Sequence, residues 1–112
     1  MAWPDEIWIV DFGVPVPAEP AHRRPALVLG PPASFGTGMP FVLVCPITTL
    51  HRGLSLHVEL EAGPLTGLSE ISYAQCEQLR SVGTHRLVER VGVVDAATST
   101  HVREVSRILL GL

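Results

Sequence analysis

Short apolar runs alternate with segments rich in proline and glycine, and the period of the apolar positions changes once, near residue 95. Before that point every run is of strand length. Ile7–Phe12 contains Ile-Trp-Ile-Val, β-branched and aromatic residues that suit a pleated, half-buried surface. Gly13–Arg23 carries Pro15, Pro17 and Pro20, which cannot donate to a ladder, so it reads as a loop. Pro25–Leu29 is a short, almost wholly apolar strand, and Gly30–Met39 is a second long loop. Phe41–Ile47, the most apolar run, predicts a buried central strand. Leu56–Leu60 alternates as a strand with one polar face. Ser72–Val82 reads as one bent strand or two, and Leu87–Val94 as the last strand. The period then lengthens. Asp95 is placed to cap a helix, and Val102, Val105, Ile108, Leu109 and Leu112 recur at three- and four-residue steps. Gly111 sits where such a helix would stop. Five or more short strands and one terminal helix predict a single domain over residues 1–112, a small curled barrel or sandwich with the helix packed on it. The connections are too short for helical crossovers, so the sheet is expected to be antiparallel.

Composition narrows the class. Of 112 residues, 46% are hydrophobic and 17% charged, which excludes a disordered chain. That is more apolar surface than one small core hides, and the excess points to an oligomer interface. No apolar run approaches the roughly 18 residues of a membrane span. The start, Met1 to Glu6, has no signal-peptide pattern, so a cytoplasmic protein with Cys45 and Cys76 as free thiols is expected. The formal charge of −3 argues against a protein that coats duplex nucleic acid. All eight basic residues are Arg, which codon bias explains most simply and which leaves room for a local Arg-lined groove.

Most familiar chemistries find no residues here. Gly36 and Gly38 lack a following Lys-Ser/Thr, and no nucleophile elbow is present. The five histidines and two cysteines are scattered without ligand spacing, and no carboxylate pair is clustered, so no metal and no cofactor are expected. Three segments place polar residues beside an apolar strand: Glu19–Leu29, Cys45–Arg52 with Leu56–Glu59 after it, and Cys76–Val82. Taken singly, each has a structural explanation. Arg24 could pair with a nearby Glu, Thr48 and Thr49 could cap a strand end, and Gln78 could bond a loop.

Taken together they resemble one family. Ile7-Trp8 to Gly13, Arg24-Pro25-Ala26-Leu27-Val28-Leu29, Pro46-Ile47-Thr48-Thr49, His57-Val58-Glu59, Glu77-Gln78-Leu79-Arg80 and Arg86-Leu87 follow the order and spacing of the MazF/PemK toxins. The resemblance implies an SH3-like antiparallel β-barrel with a C-terminal helix, forming a two-fold homodimer. It also implies a metal-independent endoribonuclease cutting single-stranded RNA to 2′,3′-cyclic phosphate and 5′-hydroxyl ends, often at short preferred sequences. A cognate MazE-like antitoxin would silence it with a disordered acidic tail laid over the RNA groove. By the same resemblance Arg24 and Thr48 are catalytic, and Glu19, His57, Glu77 and Gln78 hold or read the RNA. A fixed guanidinium suits the charge that builds on a phosphorane, so Arg24 is expected as electrostatic stabiliser and proton donor, with Thr48 orienting the phosphate.

Three positions depart from the family pattern: Asp5 where Gly is usual, the stiffer Val16-Pro17-Ala18-Glu19, and Gly30-Pro31-Pro32 in place of a polar residue. The loops among them frame the RNA and so bear on sequence preference. His22 and Arg23 read as solvated loop residues, with a phosphate contact as the alternative. Two other readings use the same architecture. A CcdB-type gyrase poison would end in Trp-Gly-Ile, whereas this chain ends Leu110-Gly111-Leu112. A proline-peptide module would need an aromatic groove, and Trp8, Phe12 and Phe41 are expected in the core.

Overall fold

The computed structural model describes residues 2–19 and 22–112; Pro20 of the first loop lies outside the described residues, as do Met1 and Ala21. Seven strands precede one helix: β1 Glu6–Asp11, β2 Arg23–Gly30, β3 Phe41–Thr48, β4 His57–Leu60, β5 Ser72–Gln75, β6 Arg80–Gly83, β7 Leu87–Val93 and α1 Ala96–Leu109. Every strand pair is antiparallel, as the short connections require. The architecture is the expected one, mainly β with a terminal helix.

The central strand β3 organises the sheet. Along one edge it pairs with β2. Its other edge is shared, Phe41–Val44 with β6 and Ile47–Thr48 with β5. Pro46, which has no N–H for a ladder, sits at the changeover. The segment Ser72–Val82 is therefore two strands, and the 3-10 turn Cys76–Gln78 joins them where the partner region of β3 changes. The strand order is β4-β5-β3-β2-β1-β7, with β6 on β3. Among the described residues β6 and β7 do not pair, so the sheet curls like a barrel without closing.

Alternation along the strands gives each face its own apolar cluster. Leu27, Cys45 and Ile47 pack with Val102 of α1 on one face. Ala26, Val28 and Val44 pack with Val10 and Val82 on the other, where Trp8 and Phe12 also rest. The two buried cysteines are free thiols lying side by side. The Cys76 thiol and burial together hold Cys45 well above the usual thiol range.

The helix begins as the sequence predicts, with the Asp95 carboxylate accepting from Thr98 N at 2.8 Å, and Gly111 follows it with a φ of +73°. Its buried face is only partly the expected one, with Val102 buried and Val105 packed on the same cluster as the spacing predicts. Ser99, Val102 and Ser106 are buried, whereas Ile108, Leu109 and Leu112 are 63%, 46% and 76% exposed. Small serines suit a close approach to β4 and to the Cys76–Gln78 turn, the surfaces α1 packs on.

Asp5 explains its own departure from the family pattern. Its φ of +75° is a conformation that favours Gly and that Asp tolerates. Its carboxylate accepts from Ser99 Oγ at 2.7 Å and from Arg103 at 3.0 Å, while Arg103 also donates to the Leu29 carbonyl. Asp5 thus ties α1 to the sheet.

Glu6 makes a comparable tie across the β1–β7 edge, accepting from Trp3 N, Trp8 Nε1 and Arg90 Nε at 2.8, 3.1 and 2.7 Å. Burial works upward on its pKa, but these hydrogen bonds outweigh it and hold the carboxyl below the usual range. A carboxyl lowered in the folded state stabilises above its unfolded pKa and loses that stability as pH falls. Glu6→Gln is therefore expected to cost about 1–2 kcal/mol at pH 7. It should also flatten the decline in stability below about pH 4.3, measured by urea unfolding across pH.

Candidate active site

Register brings the two expected catalytic residues together. The β2–β3 ladder pairs Ala26 with Pro46 and Val28 with Val44. The same register carried two residues further sets Arg24 across from Thr48. Both side chains leave the sheet on the face opposite α1, because Leu27, Cys45 and Ile47 point to α1 and neighbours alternate. Arg24 and Thr48 line one open groove of about 290 Å³, together with His22, Arg23, Thr49 and Ser72. His22 and Arg23 are exposed as predicted and border the groove, although Arg23 belongs to β2 rather than to the loop. Strand β2 starts two residues earlier than the apolar run suggests, which is why Arg23 and Arg24 belong to the sheet.

The electrostatics set Arg24 and Arg52 apart from the other arginines. Arg23, Arg80, Arg90, Arg103 and Arg107 all pair with carboxylates, and Arg86 donates to the Asp11 carbonyl. Among the described residues, only Arg24 and Arg52 have neither kind of partner. The simple explanation that Arg24 pairs with a nearby Glu fails, because Arg24 makes no ion pair among the described residues, and Glu19 is engaged by Arg80 at 2.8 Å. A half-buried guanidinium without a partner, beside an open groove, is a ready site for an anion. Thr48 Oγ1 accepts from Leu50 N at 3.2 Å, which turns the chain out of β3 and leaves the hydroxyl proton free to donate.

The other four expected residues converge on the Cys76–Gln78 turn. His57 Nε2 lies 3.0 and 2.8 Å from the two oxygens of Glu77. The His57 side chain is only 2% exposed, so it sits beneath Glu77 and orients it. Gln78 Nε2 donates to the Ala18 carbonyl at 2.8 Å, and the Arg80–Glu19 pair makes a second tie to the same loop. Ala18 has a φ of +64°, and the Val16–Glu19 loop is thereby fixed against the turn. The structural explanation for Gln78, a bond to a loop, holds for its amide nitrogen.

Sequence reasoning missed two residues of this region. Tyr73 is the β5 ladder partner of Thr48, and His51 stacks on it. Their proximity depends on strand pairing, and the only local signal was that His51 fell in the Cys45–Arg52 segment. Among the described residues no three His, Cys, Asp or Glu side chains converge as a metal-ligand set. A larger cavity of about 440 Å³ lies elsewhere, lined by Trp3, Trp8, Met39 and Phe41 and by no ionisable side chain. No described helix is long and apolar enough to cross a membrane.

Comparison with known proteins covers the whole of this architecture. The profile of a family described as PemK-like, MazF-like toxin of type II toxin-antitoxin system matches residues 4–110. Endoribonuclease MazF9 of Mycobacterium tuberculosis is 32% identical over 111 residues, covering 96% of this chain and 94% of its own length. The crystal structure of MazF from Deinococcus radiodurans is similar with a TM-score of 0.83 at 27% identity, over 99% of this chain and 97% of that one. A MazE–MazF structure from the same organism gives a TM-score of 0.79 at 26% identity, over 99% and 96% of the two chains.

Proposed function

The chain belongs to the PemK-like, MazF-like toxins of type II toxin–antitoxin systems, and from that premise we propose that it is an endoribonuclease cleaving single-stranded RNA in the Arg24–Thr48 groove without a metal ion. One observation carries the site: the half-buried Arg24, with no partner among the described residues, stands across from the Thr48 hydroxyl on the wall of an open groove. In such a groove the 2′-hydroxyl gives its proton to solvent water as its oxygen attacks the adjacent phosphorus, giving a 2′,3′-cyclic phosphate. The bond from phosphorus to the 5′-oxygen breaks, and that oxygen leaves with a proton as a 5′-hydroxyl. Arg24 donates to the phosphorane oxygens, where charge accumulates, and acts as proton donor; Thr48 donates to a non-bridging oxygen and orients the phosphate.

Glu77 and Glu19 are suited to bases rather than backbone, since carboxylates repel phosphate and accept from exocyclic amines. His57 positions Glu77, and Gln78 holds the Val16–Glu19 loop at the edge of the groove. Family membership sets aside the gyrase-poison and proline-peptide readings. The mechanism is tested by placing a 2′-deoxy sugar at a mapped cut site. Cleavage should stop there and continue elsewhere, whereas continued cutting at the deoxy position would mean direct hydrolysis.

The same reading supplies the partners. The cognate antitoxin is MazE-like, with an acidic disordered tail that meets Arg24 in the RNA groove. The working compartment is the cytoplasm, where RNA and reduced thiols coexist. The functional unit is a two-fold homodimer, supported by apolar side chains left exposed, among them Phe35, Leu43, Ile108, Leu110 and Leu112. Light scattering at micromolar concentration should give twice the 12.1 kDa chain mass, and a mass of 12.1 kDa would rule the dimer out.

A further inference from the structure

Beside the groove stands an aromatic pair to which none of the roles above is given. The rings of His51 and Tyr73 are stacked, with centroids 5.0 Å apart and planes 16° from parallel. They come from separate parts of the chain, Tyr73 from β5 and His51 from the loop after β3. Thr48 pairs with Tyr73 on one side and, by register, with Arg24 on the other. The three residues form one lateral row across adjacent strands about 4.8 Å apart. Tyr73 is half-buried, while every residue from Thr49 to Ser55 is exposed, so His51 is solvent-accessible although one face of its ring rests on Tyr73. The Thr48–Leu50 hydrogen bond fixes the start of this loop. The residue after His51 is Arg52, the second guanidinium without a partner among the described residues.

We propose that His51, backed by Tyr73, is a stacking platform for the nucleobase of a nucleotide flanking the scissile phosphate, and that Arg52 contacts the next phosphate along the strand. The inference rests on the endoribonuclease reading and names a specificity subsite within it. A lone surface histidine samples many rotamers, and a ligand that stacked on it would have to bear the ordering cost. Packing on Tyr73 orders the imidazole beforehand, which favours binding without adding a contact. A base laid on the outer face makes a third ring in the stack, and a purine overlaps it over more area than a pyrimidine. An aromatic platform interleaved with free cations is the general design of single-strand binding surfaces.

The test is cleavage of a randomised single-stranded RNA library in excess EDTA, with sequencing of the cut ends and steady-state kinetics on one good substrate. His51→Ala is expected to erase a purine preference at one position flanking the cut. It should raise KM roughly 5- to 150-fold on purine-flanked RNA, with kcat little changed. His51→Phe should keep the preference, and Tyr73→Ala should lose it. Arg52→Ala should raise KM for all sequences alike and lower the salt dependence. An unchanged cut profile and KM in His51→Ala would overturn the platform. So would a uniform loss of activity that His51→Phe does not restore, because that pattern belongs to a structural role. Because His51 is exposed, its variants report even where Tyr73→Ala fails to fold. If the wild type cuts nothing, the endoribonuclease reading falls separately. The platform is then judged on affinity for a mixed-sequence 2′-O-methyl RNA: a loss in His51→Ala upholds it, and no change overturns it.

Discussion

Arg24→Ala is expected to lower kcat for RNA cleavage by about 10²- to 10³-fold, the usual cost of removing one donor aimed at transition-state charge. The reason lies in what Arg24 lacks. Arg24 is half-buried near the start of β2, no carboxylate or carbonyl among the described residues engages it, and the groove beside it is open. Such a group contributes little to folding, and holding it there costs desolvation that a bound phosphate would offset. The thermal midpoint of Arg24→Ala should therefore equal or exceed that of the wild type, as is common where a binding site carries unsatisfied charge. Arg24→Lys separates charge from geometry. Lysine keeps the positive charge but loses the planar fork, so the variant should recover only part of the rate. A kcat for Arg24→Ala within a few-fold of wild type would remove Arg24 from the reaction. A large drop in thermal midpoint would instead give it a structural role.

The second large effect is on stability. A β-carbon on Gly92 would lie 2.3 Å from the Thr66 carbonyl oxygen and 2.5 Å from that of Leu65, and both obstacles are backbone. The contact is reciprocal: a β-carbon on Gly67 would lie 2.2 Å from the Val91 carbonyl oxygen. The loop before β5 and strand β7 are thus interlocked at two glycines, and Val93 N donates to the Leu65 carbonyl at 3.0 Å within the same contact. Gly92→Ala cannot be absorbed by a rotamer change, so it should cost about 3 kcal/mol, the upper end of the range for overpacking. That corresponds to a fall in thermal midpoint of about 10 °C or more, measured by calorimetry. Gly53→Ala is the control. Its β-carbon would meet nothing within 4 Å, and only its φ of +65° counts against it, so it should cost about 1 kcal/mol. Equal effects at the two positions would show that the interlock contributes nothing.

Most strands were legible because they are apolar or alternating runs of strand length set off by proline and glycine, a signal carried within a few residues, which β5 and β6 lack. Features that depend on pairing between distant residues were not. The break at Cys76–Gln78 follows from β3 changing partners at Pro46, which no local pattern announces. The helix was placed correctly and its face in part. Apolar periodicity pointed to Val102 and Val105, which do pack on the core, but also to Ile108, Leu109 and Leu112, which do not, while the contact surface adds Ser99 and Ser106, whose virtue is small size. Arg24 and Thr48 are far apart in sequence and meet through antiparallel register, so resemblance to a family named them before any spacing could. His51 and Tyr73 belong to no such motif and emerge only from the folded sheet. Asp5 combines both cases: its departure has a local part, a positive φ, and a long-range part, the bonds to Ser99 and Arg103 of α1.

The most direct measurement exposes a long single-stranded RNA to wild type, Arg24→Ala and Thr48→Ala side by side in excess EDTA, mapping every new 5′ end and its chemistry. The wild type should cut at a recurring short motif and leave 5′-hydroxyl ends, and both variants should lose those cuts. Intact RNA at high excess of wild-type protein, or undiminished cutting by Arg24→Ala, would contradict a metal-independent nuclease centred on the Arg24–Thr48 groove.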